Sequence, residues 1–334
     1  MKRAIKAIAA ALALLSTAAV PSSSPRVMRS GRFADRATGL VGIDRAVVAF
    51  DGGTITFARN GDLFQRFTAR DFGTRKRLGL IKITQPTRGL VVRDVIAERG
   101  YRFLDVFTRH AGLTDSVVER VRATGLIRGF ARIRADSHDV VIRDVDARFR
   151  AEPASAGELP VGIGLEDTAH DILIERTVMR GARMIRVPDR YTNGDGYSTE
   201  RGNARITFRR AEAHDATDGG FDLKSTETRL EDTLATGNGR NYRFWGTGTA
   251  TTITSRDPEN AHIWLGKGAR WRIGRLVVRS RTRAPVIRIG PGATLTVDAH
   301  DVQVPAGTRL VVTEDGGGTV LWGRSGPPRI APAE

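Results

Sequence analysis

No cysteine occurs in the 334 residues of this chain. Its absence excludes disulfides, thiol nucleophiles and Cys-based zinc sites. An exported chain without disulfides must draw its stability from the size or regularity of its core. With 40% of residues hydrophobic, enough apolar material for a sizeable core is present. Long apolar runs are missing as well. Beyond residue 20 no stretch of about 18 apolar residues occurs, so no membrane-spanning helix is expected. Helical hydrophobic periodicity is absent after the first twenty residues. In its place stand short β-branched runs divided by Gly, Asn, Asp and Thr.

The first residues read Met1-Lys-Arg-Ala-Ile-Lys6, then an apolar stretch from Ala7 to Leu15, then small residues from Ser16 to Val20. A positive start, a short apolar run and a small-residue cleavage zone make a secretory signal peptide over residues 1–19. The expected location is therefore secreted or periplasmic. Residues 20–35, with Ser22-Ser-Ser-Pro25, are expected to be a flexible start to the mature chain.

Acidic residues are outnumbered, 37 against 53 Lys and Arg, for a net charge of +16. Lys2, Arg3 and Lys6 belong to the leader, which leaves 16 − 3 = +13 on the mature chain. Such a balance favours a polyanion. For an exported protein the expected partner is an acidic polysaccharide, with no nucleic acid and no membrane insertion. An Ala/Arg/Gly-rich composition is the bland alternative, because no basic run is longer than Arg75-Lys-Arg77.

A recurrent unit runs through the chain: aliphatic residues, two charged ones, then a small or apolar residue. It reads Leu90-Val-Val-Arg-Asp-Val95, Ser116-Val-Val-Glu-Arg-Val121 and Val140-Val-Ile-Arg-Asp-Val145, and continues to Trp271-Arg-Ile-Gly-Arg-Leu276. Marked by Asp94, Arg120, Asp144, Arg176, Arg210, Asp232 and Arg275, its steps are 26, 24, 32, 34, 22 and 43 residues. The last step is two coils, with the intermediate one near Thr252-Ile-Thr254. The steps of 32 and 34 each carry an insertion, Glu152-Pro-Ala-Ser-Ala-Gly157 and Pro188-Asp-Arg-Tyr-Thr-Asn193. Periods of this size signal a repeat architecture. Leucine-rich and propeller signatures are lacking, whereas short strands in a coil of about 22 residues suit a parallel β-helix. The expected fold is all-β: a right-handed parallel β-helix of about ten coils, one domain over residues 36–325. A β-sandwich or jelly roll is the competing fold. Residues 35–85 would form the first coils and a cap, residues 295–323 a closing coil, and 326–334, with Pro327-Pro328, a disordered tail.

Residues 193–246 concentrate chemistry. They contain Gly194-Asp-Gly-Tyr-Ser-Thr-Glu200, Asp218-Gly-Gly-Phe-Asp-Leu-Lys224 and Arg240-Asn-Tyr-Arg-Phe-Trp245, with Tyr197, Phe221 and Tyr242 spaced 24 and 21 residues apart. Alternate side chains of a strand point to opposite faces, and neighbouring strands lie roughly 4.8 Å apart. If the three aromatics point inward, Ser198, Asp222 and Arg243 form one outward column and Glu200, Lys224 and Trp245 the next. Acid, base and aromatic then share one outer wall, as a carbohydrate cleft requires.

This segment resembles pectate lyase family nine. Gly194-Asp195-Gly-Tyr and Asp218-Gly-Gly-Phe-Asp222-Leu are similar to that family's Asp-Gly-Phe and Asp-Asp-Gly-Trp-Asp-Leu elements. Gly237-Asn-Gly-Arg-Asn-Tyr-Arg243-Phe-Trp-Gly246 resembles its Gly-Asn-Gly-Asn-Gly-Phe-Lys-Leu-Gly-Gly segment. The match covers about 54 residues. The resemblance implies a polyuronate lyase on a right-handed parallel β-helix, working by β-elimination with bound Ca2+. It places Asp195, Asp218 and Asp222 at metal-ligand positions and Arg243 at the catalytic base. Gly219 stands where the family has a second consecutive aspartate, and Arg243 where it has lysine.

Physical chemistry adds its own assignment. Removing the C5 proton of a uronate requires its carboxylate to be neutralised, by a hard cation or by clustered Arg and Lys. The base must lose its own proton, which Lys can be tuned to do and Arg resists. Chemistry thus points to Lys224 as base, with Arg243 and Arg240 clamping the carboxylate. Glu200, Asn241, Trp245 and Trp264 complete the expected substrate-binding set. The plain alternatives are cross-strand ion pairs for Lys224–Glu200 and Asp222–Arg243 and turn-shaping roles for Asp195 and Asp218. His214 and His262 are read as structural, because His-Asp pairs recur at coil turns. The expected function is an exported lyase that cleaves an acidic polysaccharide by β-elimination. The alternatives are a glycoside hydrolase using Asp195, Asp218 and Asp222, although the Asn-Thr-Asp and Arg-Ile-Lys elements of galacturonase-type hydrolases are absent, a C5-epimerase, and a non-catalytic glycan-binding β-helix of the cell envelope. A monomer is expected.

Overall fold

Six of the seven residues that mark the sequence repeat turn out to share one backbone peculiarity. Asp94, Arg120, Asp144, Arg176, Arg210 and Asp232 all have φ between 49° and 56°, in the left-handed region. They form a corner of the coil, where the cross-strand pairing skips one residue, as at Asp94, Arg120, Asp144 and Arg176. Such a conformation disfavours β-branched residues, which explains why the apolar run always breaks there. Successive corners bind each other: Arg120 Nε donates to Asp94 Oδ1 at 2.6 Å and Arg176 Nε to Asp144 Oδ1 at 2.5 Å. The seventh marker, Arg275, lies within a strand, paired with Thr252 as expected of the intermediate coil.

The computed structural model describes residues 46–49, 55–57, 60–72 and 79–332. The expected signal peptide and flexible start lie outside the described residues, as does part of the N-terminal cap. Among the described residues every regular element is a strand. All the strand pairs are parallel, which removes the antiparallel sandwich and jelly roll.

One register walk traces the solenoid. It passes Thr56, Lys82, Asp105, Arg132, Gly164, Ser198, Asp222, Arg243, Trp264, Arg288 and Val312, one residue per rung. The chain is thus a parallel β-helix of about 11 turns, close to the expected ten. The two steps stretched by insertions are those between Arg132, Gly164 and Ser198.

On the inner side of the same strands, Ile81, Leu104, Ala131, Ile163, Tyr197, Phe221, Tyr242, Ile263 and Ile287 stack in one buried column. The Tyr197 and Phe221 rings lie 4.7 Å apart, and the Phe221 and Tyr242 rings 5.1 Å, both stacked. The buried phenols are satisfied: Tyr197 donates to the Thr177 carbonyl at 2.9 Å and Tyr242 to that of Thr254 at 3.0 Å. Val, Ile, Leu and aromatic side chains thus fill a continuous core that each coil shares with its neighbours. Within the expected tail, Ile330 packs against this core and the Ala331 carbonyl accepts a hydrogen bond from Gly307 N at 2.8 Å. No helix among the described residues is long and apolar enough to cross a membrane.

Candidate active site

Because Tyr197, Phe221 and Tyr242 point inward, their neighbours Ser198, Asp222 and Arg243 lie side by side on the outer face. The second expected column is present as well. Lys224 Nζ reaches Glu200 Oε1 at 2.9 Å across one rung, and Trp245 follows on the next. Gly266 comes after Trp245, and a Cβ there would stand 2.2 Å from the indole ring. That missing side chain is what lets Trp245 lie flat along the wall.

Charges interlock on this wall. Asp218 accepts from Arg240 Nη1 at 2.7 Å and from Arg243 Nη1 at 2.6 Å. Asp222 accepts the Trp245 indole N–H at 2.7 Å and lies 3.6 Å from Lys224 and 3.7 Å from Arg243. The Trp245 and Trp264 rings meet edge to face at 4.4 Å, with the Arg243 guanidinium 5.3 and 5.4 Å from their centres. Trp264 also donates to Glu314 at 2.8 Å. Both tryptophans are half-buried rather than free platforms.

Asp195 is the most enclosed carboxyl of the group, 1% exposed. It opens its strand, Asp195–Thr199, and its parity matches the inward Tyr197. Gly219 occupies the facing position and donates its amide to Asp195 Oδ1 at 2.8 Å. Burial, together with the charges of Asp222 and Asp218, raises the Asp195 pKa well above the ordinary carboxylate value. Asp195 therefore holds its proton at pH values where an exposed aspartate has lost it.

The two expected bases move the opposite way from what proton abstraction needs. Burial alone would lower Lys224, but the charges of Asp222, Glu200 and Asp195 outweigh it, and the pKa is raised. Arg243 is likewise raised, burial being outweighed by Asp222, Asp218 and Asp195. Both side chains are held as cations.

Asn241 requires a correction. It was expected at the substrate, yet it is fully buried and its amide donates to Ser255 Oγ at 2.8 Å and to the Arg256 carbonyl at 2.9 Å. Asn241 is the second residue of its strand, Arg240–Phe244, and alternation alone does not reveal that Ser255 and the Arg256 carbonyl draw its amide inward. Ser255 in turn contacts His262 Nδ1 at 2.7 Å, and this interior polar ladder explains the structural reading of that histidine. Asp139, Asp171 and Asp215 of three His-Asp pairs have positive φ, as coil turns require. His300-Asp301 instead lies in mid-strand.

The three aspartates do not fit a calcium ion. Among the described residues no three His, Asp or Glu side chains are grouped to hold a metal. Both oxygens of Asp218 face guanidiniums, and Asp195 Oδ1 is taken by the Gly219 amide.

In front of the cluster lies a groove of about 170 Å³. Its walls include Tyr191, Asp195 and Lys224 on one side and Arg102, Arg128 and Arg132 on the other. Sequence reasoning missed four of these. Tyr191 sits in the insertion after Pro188, and the arginines come from rungs upstream of the recognised motif. Walking back from Asp222 by one coil at a time would have reached Arg132.

The fold defines the class, a parallel β-helix with a charged groove along one face. Compared with protein-family models, the chain matches none, and a comparison with curated proteins finds no match either.

Proposed function

We propose that this chain hydrolyses the glycosidic bonds of an acidic polysaccharide, with Asp195 as proton donor. The observation that carries this reading is the buried, proton-holding Asp195 beside Asp218 and Asp222 on a wall that also holds Lys224, Arg240 and Arg243. Hydrolysis of a glycoside needs one carboxyl to protonate the leaving oxygen and a second carboxylate to act as base or nucleophile. Asp222, next to Asp195 in the cluster and facing outward, takes the second role. The cations select an anionic sugar and steady charge that develops on it. Trp245 and Trp264 present half-buried ring surface beside them. The reaction needs no calcium. The leader-like residues 1–19 accord with work outside the cytoplasm, in the periplasm or beyond the cell.

β-Elimination of a uronate, as in the pectate lyases that residues 193–246 resemble, is the second reading. It is favoured by Arg243 at the position of that family's base and by three cations suited to neutralising a uronate carboxylate. It requires Lys224 or Arg243 to give up a proton that its neighbours hold in place.

Product analysis separates the readings. The chain is incubated with a panel of uronate-containing polymers. New reducing ends without ultraviolet absorbance support hydrolysis, and reducing ends with the absorbance of an unsaturated sugar support the lyase. Binding with neither leaves a glycan-binding β-helix, and altered uronate configuration without cleavage indicates C5-epimerisation.

A further inference from the structure

Upstream of the aspartates, the same face carries charge that the proposed reaction does not use. Arg102 and Arg132 share a single counter-ion, Asp105, at 3.1 Å from Arg102 Nη1 and 2.7 Å from Arg132 Nε. Lys82 is the register partner of Asp105 on the preceding rung and lies over the Phe107 ring at 3.5 Å. Arg128 is half-buried, and its Nη1 is buried and meets no hydrogen-bond acceptor among the described residues. Burial first, and then the neighbouring Arg102, push the Arg128 pKa down to about 10. Among the described residues Asp105 is the one carboxylate within ion-pair distance of Arg102 and Arg132, and Glu166, which also lines the groove, is paired with Arg134 at 3.3 Å. A buried, unpaired guanidinium is costly in a folded protein, and such groups collect where a ligand supplies the missing charge.

The surroundings leave room for that ligand. Arg102, Arg128 and Arg132 all line the groove that also contains Asp195 and Lys224. Gly164, with no side chain, holds the rung between Arg132 and Ser198. The floor of the groove is thus low between the arginines and the aspartate cluster.

We infer that Arg102, Arg128 and Arg132 form a subsite for one anionic group of the ligand, a carboxylate or a sulfate ester, with Arg128 as its principal contact. The inference rests on the reading of this groove as a glycan site, and it fixes which way the ligand runs. Arg132 and Ser198 stand two rungs apart, about 10 Å. A charged sugar unit is therefore gripped toward the N-terminal coils, away from the bond that reacts at Asp195. A guanidinium presents paired donors that match the planar geometry of a carboxylate.

The test is binding, measured by calorimetry on the full chain and on Arg128→Gln. The probes are a uronate tetramer, a sulfated galactan oligomer and a neutral glucan tetramer. The native chain is expected to bind one of the charged oligomers in preference to the neutral one, and the tighter of the two names the anionic group. In Arg128→Gln that affinity falls by roughly ten- to a hundredfold, the usual weight of a hydrogen bond to a charged group. Neutral-oligomer binding is unchanged, and thermal stability without ligand is not lowered. Equal binding of charged oligomers by both proteins overturns the subsite, as does a native chain with no preference for charge. The two readings fail separately. Arg128-dependent binding without cleavage sinks the hydrolase and keeps the subsite, while cleavage with Arg128-independent binding does the reverse.

Discussion

Asp195 and Gly219 meet across one coil with no room to spare. The Gly219 amide donates to Asp195 Oδ1 at 2.8 Å, and a Cβ on Gly219 would come within 2.9 Å of that same oxygen. The glycine thus holds the acid in place. Gly219→Ala should displace the carboxyl, and kcat should fall at least tenfold through loss of alignment. The added Cβ would also stand 3.2 Å from the Asp222 Cβ, but the Asp195 carboxyl can shift to make room, so the melting temperature should move by only a few degrees. Steady-state kinetics beside a thermal melt check both parts. Native kcat in a folded Gly219→Ala would mean that the position of Asp195 is irrelevant to turnover.

Stability should carry the mark of the proton on Asp195. Its pKa is raised in the folded chain, burial being the first cause. The native state therefore binds a proton that the unfolded state releases. Its contribution is fully present below the ordinary aspartate value near 4 and is lost as pH rises toward the folded value. Asp195→Asn removes this dependence. Relative to the native chain, the variant should gain stability as pH rises above 4, until the folded value of Asp195 is passed. Parallel melts across that range would show a constant gap if Asp195 were ionised throughout.

His262 should give a slope of the opposite sign. Burial lowers its pKa from 6.5 to about 4. The neutral ring is stabilised in the fold, so stability is full above pH 6.5 and lost between 6.5 and about 4. The full loss is about 3 kcal/mol. The stability difference between the native chain and His262→Gln, from denaturant titrations, should change by that order between pH 7 and pH 4, since Asp195 contributes equally to both proteins.

Lys224 distinguishes a fixed cation from a base. Lys224→Arg keeps the charge beside Glu200 and Asp222 but cannot donate or accept a proton usefully at neutral pH. On the hydrolase reading it should keep a tenth or more of native activity, whereas Lys224→Met should lose about 100-fold through loss of charge stabilisation. Equal collapse of both variants, measured as kcat/KM on the same polymer, would restore Lys224 as the base.

The solenoid was legible because every coil repeats one demand. A left-handed corner forces a break in each apolar run, and Asp94, Arg120 and Asp144 announce it in sequence. The inward aromatics Tyr197, Phe221 and Tyr242 were legible for the same reason, and with them the outward columns of Asp222, Arg243 and Lys224. Alternation gives the parity of a strand residue and not what encloses its side chain, which is why Asn241 was misplaced and why the burial of Asp195 was not foreseen. Protonation was not legible either. The raised pKa of Lys224 comes from Glu200, Asp222 and Asp195 converging on one amine, a sum that spacing alone does not supply. Arg102, Arg128 and Arg132 escaped because they belong to coils with no recognisable motif, two insertions away from the aspartates.

One comparison bears most directly on the whole account: the products released from an acidic polysaccharide by the native chain and by Asp195→Asn, followed through both reducing ends and ultraviolet absorbance. The expected result is reducing ends without absorbance from the native chain, reduced about 10²- to 10⁴-fold in the variant. Absorbing, unsaturated products made equally well by both proteins would contradict it.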